Sequence, residues 1–478
     1  MKRQRVIVWF RQDLRLHDNE SLAHAMKSGI EVIPVFVFDD RVFQGRTRHG
    51  FEKTGKFRAQ FIIDSVHDLR QSLQKLGSNL IVRIGKPEEE LFEIAQKVKS
   101  SWVFCNRERT RDEIEVQDNL ETKLWSIGQE VIFSRGKMLY YTQDLPFPIT
   151  HCPDTFSSFR KEVERFVKIR EPLPTPTEKF EPLTVNLEEG EIPTIEDFGH
   201  EPIEQDDRAV LNYKGGETAA LERLKYYLWE SEALGKYKET RNQMLGGDYS
   251  SKFSAWLAQG CLSPKMIYWE IQRFELERVK NDSTYWMFFE LMWRDFFRFM
   301  GKKHGNKIFL KGGTKEEINN ELTDDHSLLQ LWTEGRTGVP FIDANMRELA
   351  STGFMSNRGR QNVASFLVKD LKVNWQMGAE YFESLLIDYD PCSNWGNWNY
   401  IAGVGSDPRE NRYFNILSQA KRYDPQGEYV KHWLPELSEL PVDKIHRPDI
   451  LSDDEQNDFH IKLGLDYPKA MLATERWI

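Results

Sequence analysis

The chain has 478 residues, 40% hydrophobic, 13% aromatic and 29% charged, with 65 Lys and Arg against 75 Asp and Glu for a net charge of −10. That length supports two or three domains with ample cores, and the apolar content excludes a disordered polyelectrolyte. No apolar run reaches the roughly 18 residues of a spanning helix, so a soluble protein without a membrane partner is expected.

Cys105, Cys152, Cys261 and Cys392 stand 47, 109 and 131 residues apart, without a C-x-x-C pair. This spacing predicts neither a metal centre nor a disulfide scaffold and fits a reducing compartment. The N-terminus runs directly into the strand-like Arg5–Phe10 with no signal or transit segment in view, which reads as cytoplasmic.

Strand-like and helical runs alternate through the first 135 residues: Val6–Phe10, Glu20–Ser28, Val32–Phe38, Phe57–Leu76, Leu80–Ile84, Glu88–Lys99 and Trp102–Cys105. Continuous Val/Ile/Phe strands between amphipathic helices predict a doubly wound parallel α/β domain over residues 1–135. No G-x-G-x-x-G follows the first strand, so any ligand there is not placed by that motif. Residues 136–213 read as a connector, which from 171 carries six prolines and 12 acids against only Lys179 and Arg208. That stretch alone holds a charge of −10, and the remainder balances at 63 against 63. The acidic total is therefore local and does not exclude a nucleic-acid partner. Residues 214–478 read as a helical domain, with helices predicted over Thr218–Ser231, Ser283–Gly301, Asp343–Thr352 and Gly359–Lys372.

Within the helical domain, Ser250, Ser251 and Ser254 gather hydroxyls at a helix start, where amide donors suit a phosphate; ordinary capping is the alternative. Glu290, Trp293 and Arg294 at i, i+3 and i+4 share one helix face, either lining a pocket or forming an ion pair beside a core aromatic. Asn357–Asn362 lies in the acid-free stretch 349–369 and suits phosphates or base edges. Asp388–Tyr400 sets two acids before a loop dense in Asn and Trp, which can read a planar heterocycle and stack on it.

Taken together, Phe10–Asn19, Tyr249–Ser254, Glu290–Asp295, Asn357–Arg360 and Asn394–Tyr400 resemble the motifs of the photolyase/cryptochrome family, and Asp407–Phe414 is similar to the stretch that marks its DASH branch. The resemblance implies an α/β antenna domain, a long connector and a helical domain enclosing FAD. It implies that Tyr237, Ser250, Ser251 and Ser254 hold the FAD phosphates, with Lys252, Phe253 and Asn357 also binding the cofactor. Arg294 would lie against the cofactor, Arg360 would pair with Asp388 beside the isoalloxazine, Asp390 would contact the flavin edge, and Asn394 would face N5.

The implied activity is light-driven reversal of cyclobutane pyrimidine dimers by electron transfer from excited reduced FAD. Glu290 would hydrogen-bond the pyrimidine edge, Trp293 and Tyr400 would flank the lesion, and Asn357, Arg358 and Gln361 would line the mouth. Duplex-repairing relatives typically carry Met where Gln361 stands and Trp where Tyr400 stands, so a preference for single-stranded or looped DNA is expected. Trp398 and Trp375 match the inner two of the family's three electron-relay tryptophans, and Leu322 stands where the third is usual. Glu108 matches an acid that contacts a 5,10-methenyltetrahydrofolate antenna. The alternative is a blue-light photoreceptor that signals through a partner. The short tail Pro468–Ile478 favours repair, and a monomer is expected.

Overall fold

Val6, Val8 and Phe10 alternate with Ile7 and Trp9 along β1 (Arg5–Phe10), and all five are buried. A strand that is apolar on both faces must be covered on both. In the computed structural model, which describes residues 4–29, 31–409 and 412–477, β1 is the centre of a five-stranded parallel sheet of order β3-β2-β1-β4-β5. The others are β2 (Glu31–Asp39), β3 (Ile81–Gly85), β4 (Trp102–Asn106) and β5 (Glu130–Ser134). Val6 registers with Val32 on one side and Trp102 on the other.

Val6, Val8 and Phe10 share a core with α1 (Glu20–Ser28) and α2 (Lys56–Lys75), and that core continues into the helical region through Trp256 and Phe296. Ile7, Trp9 and Val35 face α3 (Pro87–Val98) and α4 (Arg111–Trp125). The doubly wound domain is thus as expected, with β5 and α4 added to the elements read from sequence. Strand order reverses between β1 and β4, so their carboxyl ends open a crevice of the kind that takes ligands in such folds.

The acidic stretch 171–213 contains one short 3-10 turn, Glu196–Phe198. It lies against the sheet: Val82 N donates to Glu189 O at 2.7 Å and Phe180 N to Leu76 O at 2.9 Å, while Phe180, Ile195 and Phe198 are buried. Ahead of it, α5 (Phe156–Phe166) reaches the helical domain, where the Phe156 ring stacks on Trp293 at 3.7 Å.

The helical domain is built around α6 (Asp282–His304), α7 (Pro340–Thr352), α8 (Asn357–Ser365), α9 (Trp375–Leu385) and α10 (Pro391–Ala402). Its core includes the fully buried Trp332, Trp375 and Trp433. An Asn281–Thr284 capping box starts α6, and Asp390 caps α10 by accepting from Ser393 N at 2.8 Å, ahead of Pro391 in the first turn. The single helices expected over 218–231 and 359–372 each change to a π-helical turn, at Tyr226–Glu230 and Phe366–Asp370. Among the described residues no helix is long and apolar enough to cross a membrane.

Candidate functional site

Lys252 takes a left-handed backbone conformation (φ 62°) in the loop between Asp248 and Ser254. Arg223, which sequence reasoning did not single out, pins that loop by donating to the carbonyls of Gly247, Ser250 and Ser251 and pairing with Asp248 at 2.9 Å. Ser251, Lys252 and Phe253 are buried, Ser250 is half-buried, and the exposed Ser254 begins the short helix Ser254–Ala258.

The Lys252 ammonium sits 3.0 Å from the Tyr249 ring centre, and no described group accepts from it. Burial drives it far below its usual range, with Glu348 pulling the other way. Tyr213 Oη, Tyr249 Oη, Glu348 Oε1 and Asp388 Oδ1 are also buried without a partner. Lys252 and Glu348, Tyr249 and Glu348, and Tyr213 and Asp388 act on each other electrostatically, so these groups share one region. Each unsatisfied buried group costs about 1 to 3 kcal/mol, so the cluster calls for a polar guest with both acceptors and donors. FAD has the chemistry to fit such a region, with phosphate acceptors for an ammonium and ring donors and acceptors for carboxyls and hydroxyls.

Arg360 on α8 pairs with Asp388 at 2.8 Å and donates Nε–H to Met355 O, which joins the two predicted partners. Asn394 on α10 donates its amide to Ala379 O at 3.0 Å, leaving Oδ1 as its free acceptor. Two positions have other employment. Asp390 uses both oxygens on Arg298 and Ser393 N, and Arg294 spends its guanidinium on the carbonyls of Lys137 (2.9 Å) and Leu257 (3.1 Å). A carboxylate and a guanidinium each have bonding capacity beyond these contacts, so the flavin contacts expected of them stay open.

On the outer turns of α6, the half-buried Glu290 accepts from Arg241, whose segment Thr240 ties to Tyr249 O at 2.8 Å. Desolvation pushes the Glu290 carboxyl up, against the pull of Arg241. Tyr237 is buried beside both. Trp293 meets Tyr400 edge-on at 6.1 Å. Arg358 donates to Gln361 Oε1 (2.8 Å) and Asn242 Oδ1 (3.1 Å) over the Tyr423 ring, and Asn357 is exposed at the head of α8. The structure therefore brings Glu290 and Trp293 of α6 near Tyr400 of α10, with Arg241 reaching Glu290 from the segment after Tyr237. Arg412 donates to Tyr400 Oη at 2.9 Å and is itself held by Asp407. Glu410 and Asn411 of the Asp407–Phe414 stretch lie outside the described residues.

Trp398 packs on Phe382 (5.1 Å) and Trp332 (6.4 Å). A Cβ on Gly378 would come within 2.3 Å of its ring, so glycine is what lets α9 lie against this indole. Trp375 is fully buried and meets Trp395 edge-on at 5.7 Å. Leu322 is buried, and Lys311 touches both positions, its carbonyl taking the Trp375 indole N–H and its Nζ reaching Leu322 O. Trp395, which lies within the Asn394–Tyr400 motif but has no role assigned from sequence, also faces a second cavity.

That second cavity, about 720 Å³, lies in the crevice at the carboxyl ends of the strands. Phe10, Gln12, Asp39, Glu108 and Thr110 line it from the α/β domain, and Gln376, Tyr389 and Trp395 from the helical domain. Glu108 is buried and accepts from Lys137 Nζ at 2.6 Å. Burial works to raise its carboxyl, but Lys137, Arg11 and Arg298 outweigh it and hold it below the usual range. The same burial lowers Lys137 to about 8.

Comparison with known proteins matches residues 6–178 to the family described as DNA photolyase and residues 286–477 to the FAD-binding domain of DNA photolyase. The chain is 51% identical over 472 residues to cryptochrome DASH of Gloeobacter violaceus, covering 99% of this chain and 94% of that one. Cryptochrome DASH of Arabidopsis thaliana, described as chloroplastic/mitochondrial, is 47% identical over 446 residues, covering 92% of this chain and 77% of its own length. The crystal structure of a Synechocystis cryptochrome superposes with a TM-score of 0.96 at 50% identity, over 100% of this chain and 98% of that one. With an FAD-binding helical domain joined to a parallel α/β domain, and identities near one half over nearly its full length, the chain belongs to the photolyase/cryptochrome family, in its cryptochrome DASH branch.

Proposed function

We propose that the protein is a light-driven lyase that reverts cyclobutane pyrimidine dimers, with preference for single-stranded or looped DNA. The observation that supports this most is that two helices carry both sets of contacts: α6 bears Glu290 and Trp293, and α10 bears Asn394 and Tyr400, with the Trp293 and Tyr400 rings 6.1 Å apart.

FAD, when bound, supplies the light-driven one-electron chemistry. The chain holds it through Lys252 and the Ser250–Ser254 loop. Asn394, its amide nitrogen committed to Ala379, would offer Oδ1 as hydrogen-bond acceptor to a protonated N5. Glu290 accepts a hydrogen bond from the pyrimidine edge, with Arg241 holding the carboxyl group in place. Trp293 and Tyr400, meeting edge-on, form two adjoining walls against which the splayed bases pack, and they exclude water. Extruding a dimer from a duplex costs a few kcal/mol, which an unpaired strand avoids. Tyr400 gives a smaller stacking face than Trp, and Gln361 makes a more polar wall, so less binding energy is left to offset that cost. Trp398 and Trp375 serve as the inner relay. In the crevice between the domains, 5,10-methenyltetrahydrofolate serves as antenna with Glu108 among its contacts.

Illuminating the reduced protein with dimer-containing oligonucleotides and measuring restored thymine tests this directly. Repair of single strands faster than duplexes is expected. Equal rates would remove the strand preference, and no turnover on either would leave the photoreceptor function.

A further inference from the structure

Three charged residues on α6, Arg294, Asp295 and Arg298, reach out of the helical domain. Asp295 accepts from Leu139 N (3.2 Å) and Tyr140 N (2.7 Å), and Arg294 holds Lys137 O. One turn on, Arg298 donates to Asp390 and lies 3.9 Å from Glu108 Oε2. Glu108 in turn accepts from Lys137, which also donates to Gln12 Oε1 at 2.9 Å. Lys137, Glu108, Arg298 and Asp390 therefore form a buried chain of alternating sign, no side chain more than 6% exposed.

The two ends of this chain have different addresses. Glu108 and Gln12 line the crevice between the domains. Asp390 is the cap of α10, taking Ser393 N on its side chain and Asn394 N on its carbonyl at 2.8 Å. A buried ion chain is seldom worth more than apolar packing of the same volume, so stability alone does not account for four of them in a row. Displacing one member leaves its neighbour's charge uncompensated, so the four must shift together.

We propose that Arg298 is a positioning residue that sets the start of α10, and that through it a ligand donating hydrogen bonds to Glu108 in the crevice alters the surroundings of the flavin. The proposal rests on α10 facing the flavin, as in the function above. Coupling of this kind is reciprocal, so flavin occupancy also changes affinity in the crevice.

The flavin-loaded protein, with the crevice empty, provides the test through flavin affinity, visible absorption and midpoint potential. Arg298→Met is expected to weaken flavin binding about tenfold and to move the potential to more negative values, as a cation near the flavin is lost. Arg298→Lys should recover most of both. Glu108→Gln, nearly isosteric and in the other domain, should also shift the potential, and the double variant should show less than the sum of the two. Unchanged potential and absorption in both single variants, whatever their melting temperatures, would overturn the proposal. If Arg298→Met does not fold, Glu108→Gln decides alone. A wild-type protein that repairs nothing while these flavin signals still respond would count against repair and leave the coupling standing.

Discussion

The crevice between the domains and the interior of the helical domain treat their polar groups in opposite ways. In the crevice Glu108 has Lys137, Glu380 accepts His49 N–H at 2.8 Å, and Arg58 spreads its guanidinium over carbonyls at Leu386, Glu383 and Lys53. In the helical domain Lys252 Nζ, Tyr213 Oη, Tyr249 Oη, Glu348 Oε1 and Asp388 Oδ1 are buried with no partner. A surface complete without its ligand takes that ligand as an addition, whereas unsatisfied groups mark a ligand on which the fold's stability depends.

The largest test of that contrast is removal of each ligand. Stripping FAD should lower the unfolding free energy by on the order of 5 kcal/mol, since five groups lose partners at about 1 to 3 kcal/mol each. Emptying the crevice should cost less than about 1 kcal/mol. Denaturant unfolding of the three forms measures both, and a larger loss from the crevice would invert the comparison. Next in size is Arg360→Met. It leaves the Asp388 carboxylate, 3% exposed, without its ion-pair partner, at a cost of about 3 kcal/mol. The variant should also fail to retain flavin through purification.

A smaller effect follows from Glu348, whose carboxyl burial raises from 4.5 to about 7, while Tyr429 and Lys252 pull it down. The native chain holds this proton where the unfolded chain has released it. Stability from this group is therefore complete below about pH 4.5 and is lost as the pH rises through 7. In the flavin-free protein the slope should be near −1 kcal/mol per pH unit between those limits. Glu348→Gln should flatten it, as urea titrations at pH 5 and pH 7 would show. A variant with the wild-type slope would mean that Glu348 is already ionised in the native chain.

Which parts were legible follows from the same distinction between local and distant partners. Val6–Phe10 and Val32–Phe38 announce central strands because parallel sheets buried on both faces are apolar without interruption. Glu130–Ser134 is an edge strand with an exposed start, and its pattern carries little signal. Arg107–Asp112 looks like a solvated run, yet Glu108 is buried because Lys137, 29 residues on, meets it. The acidic connector showed its irregular path but not Phe180, Ile195 and Phe198, which anchor it beneath. In the site, the Ser250–Ser254 loop and the Arg360–Asp388 pair were visible as motifs. Arg223 and Arg241 were not, since each acts through a neighbour that only the fold supplies. Asp390 and Arg294 carry family signatures, while the bonds to Arg298 and to two backbone carbonyls that also hold them are supplied only by the fold.

The smallest effect lies where the helical interior meets the surface. Tyr400 is held by two contacts, Arg412 donating to its hydroxyl at 2.9 Å and stacking over its ring at 4.9 Å, with Asp407 behind Arg412. A tryptophan there would offer a wider face but no acceptor for Arg412, so the tyrosine and the Asp407–Arg412 pair form one unit. Tyr400→Phe should keep the ring and lose the hydrogen bond, at about 1 kcal/mol, weakening single-stranded dimer binding roughly fivefold. Tyr400→Trp should gain about 0.5 to 1.5 kcal/mol of stacking while releasing Arg412, so duplex binding should improve relative to single strands. Titrating both variants with dimer-containing single and double strands separates the two contributions. If Tyr400→Trp left the ratio between them unchanged, the size of the stacking face would not be what sets strand preference, and Gln361 would be the next residue to replace.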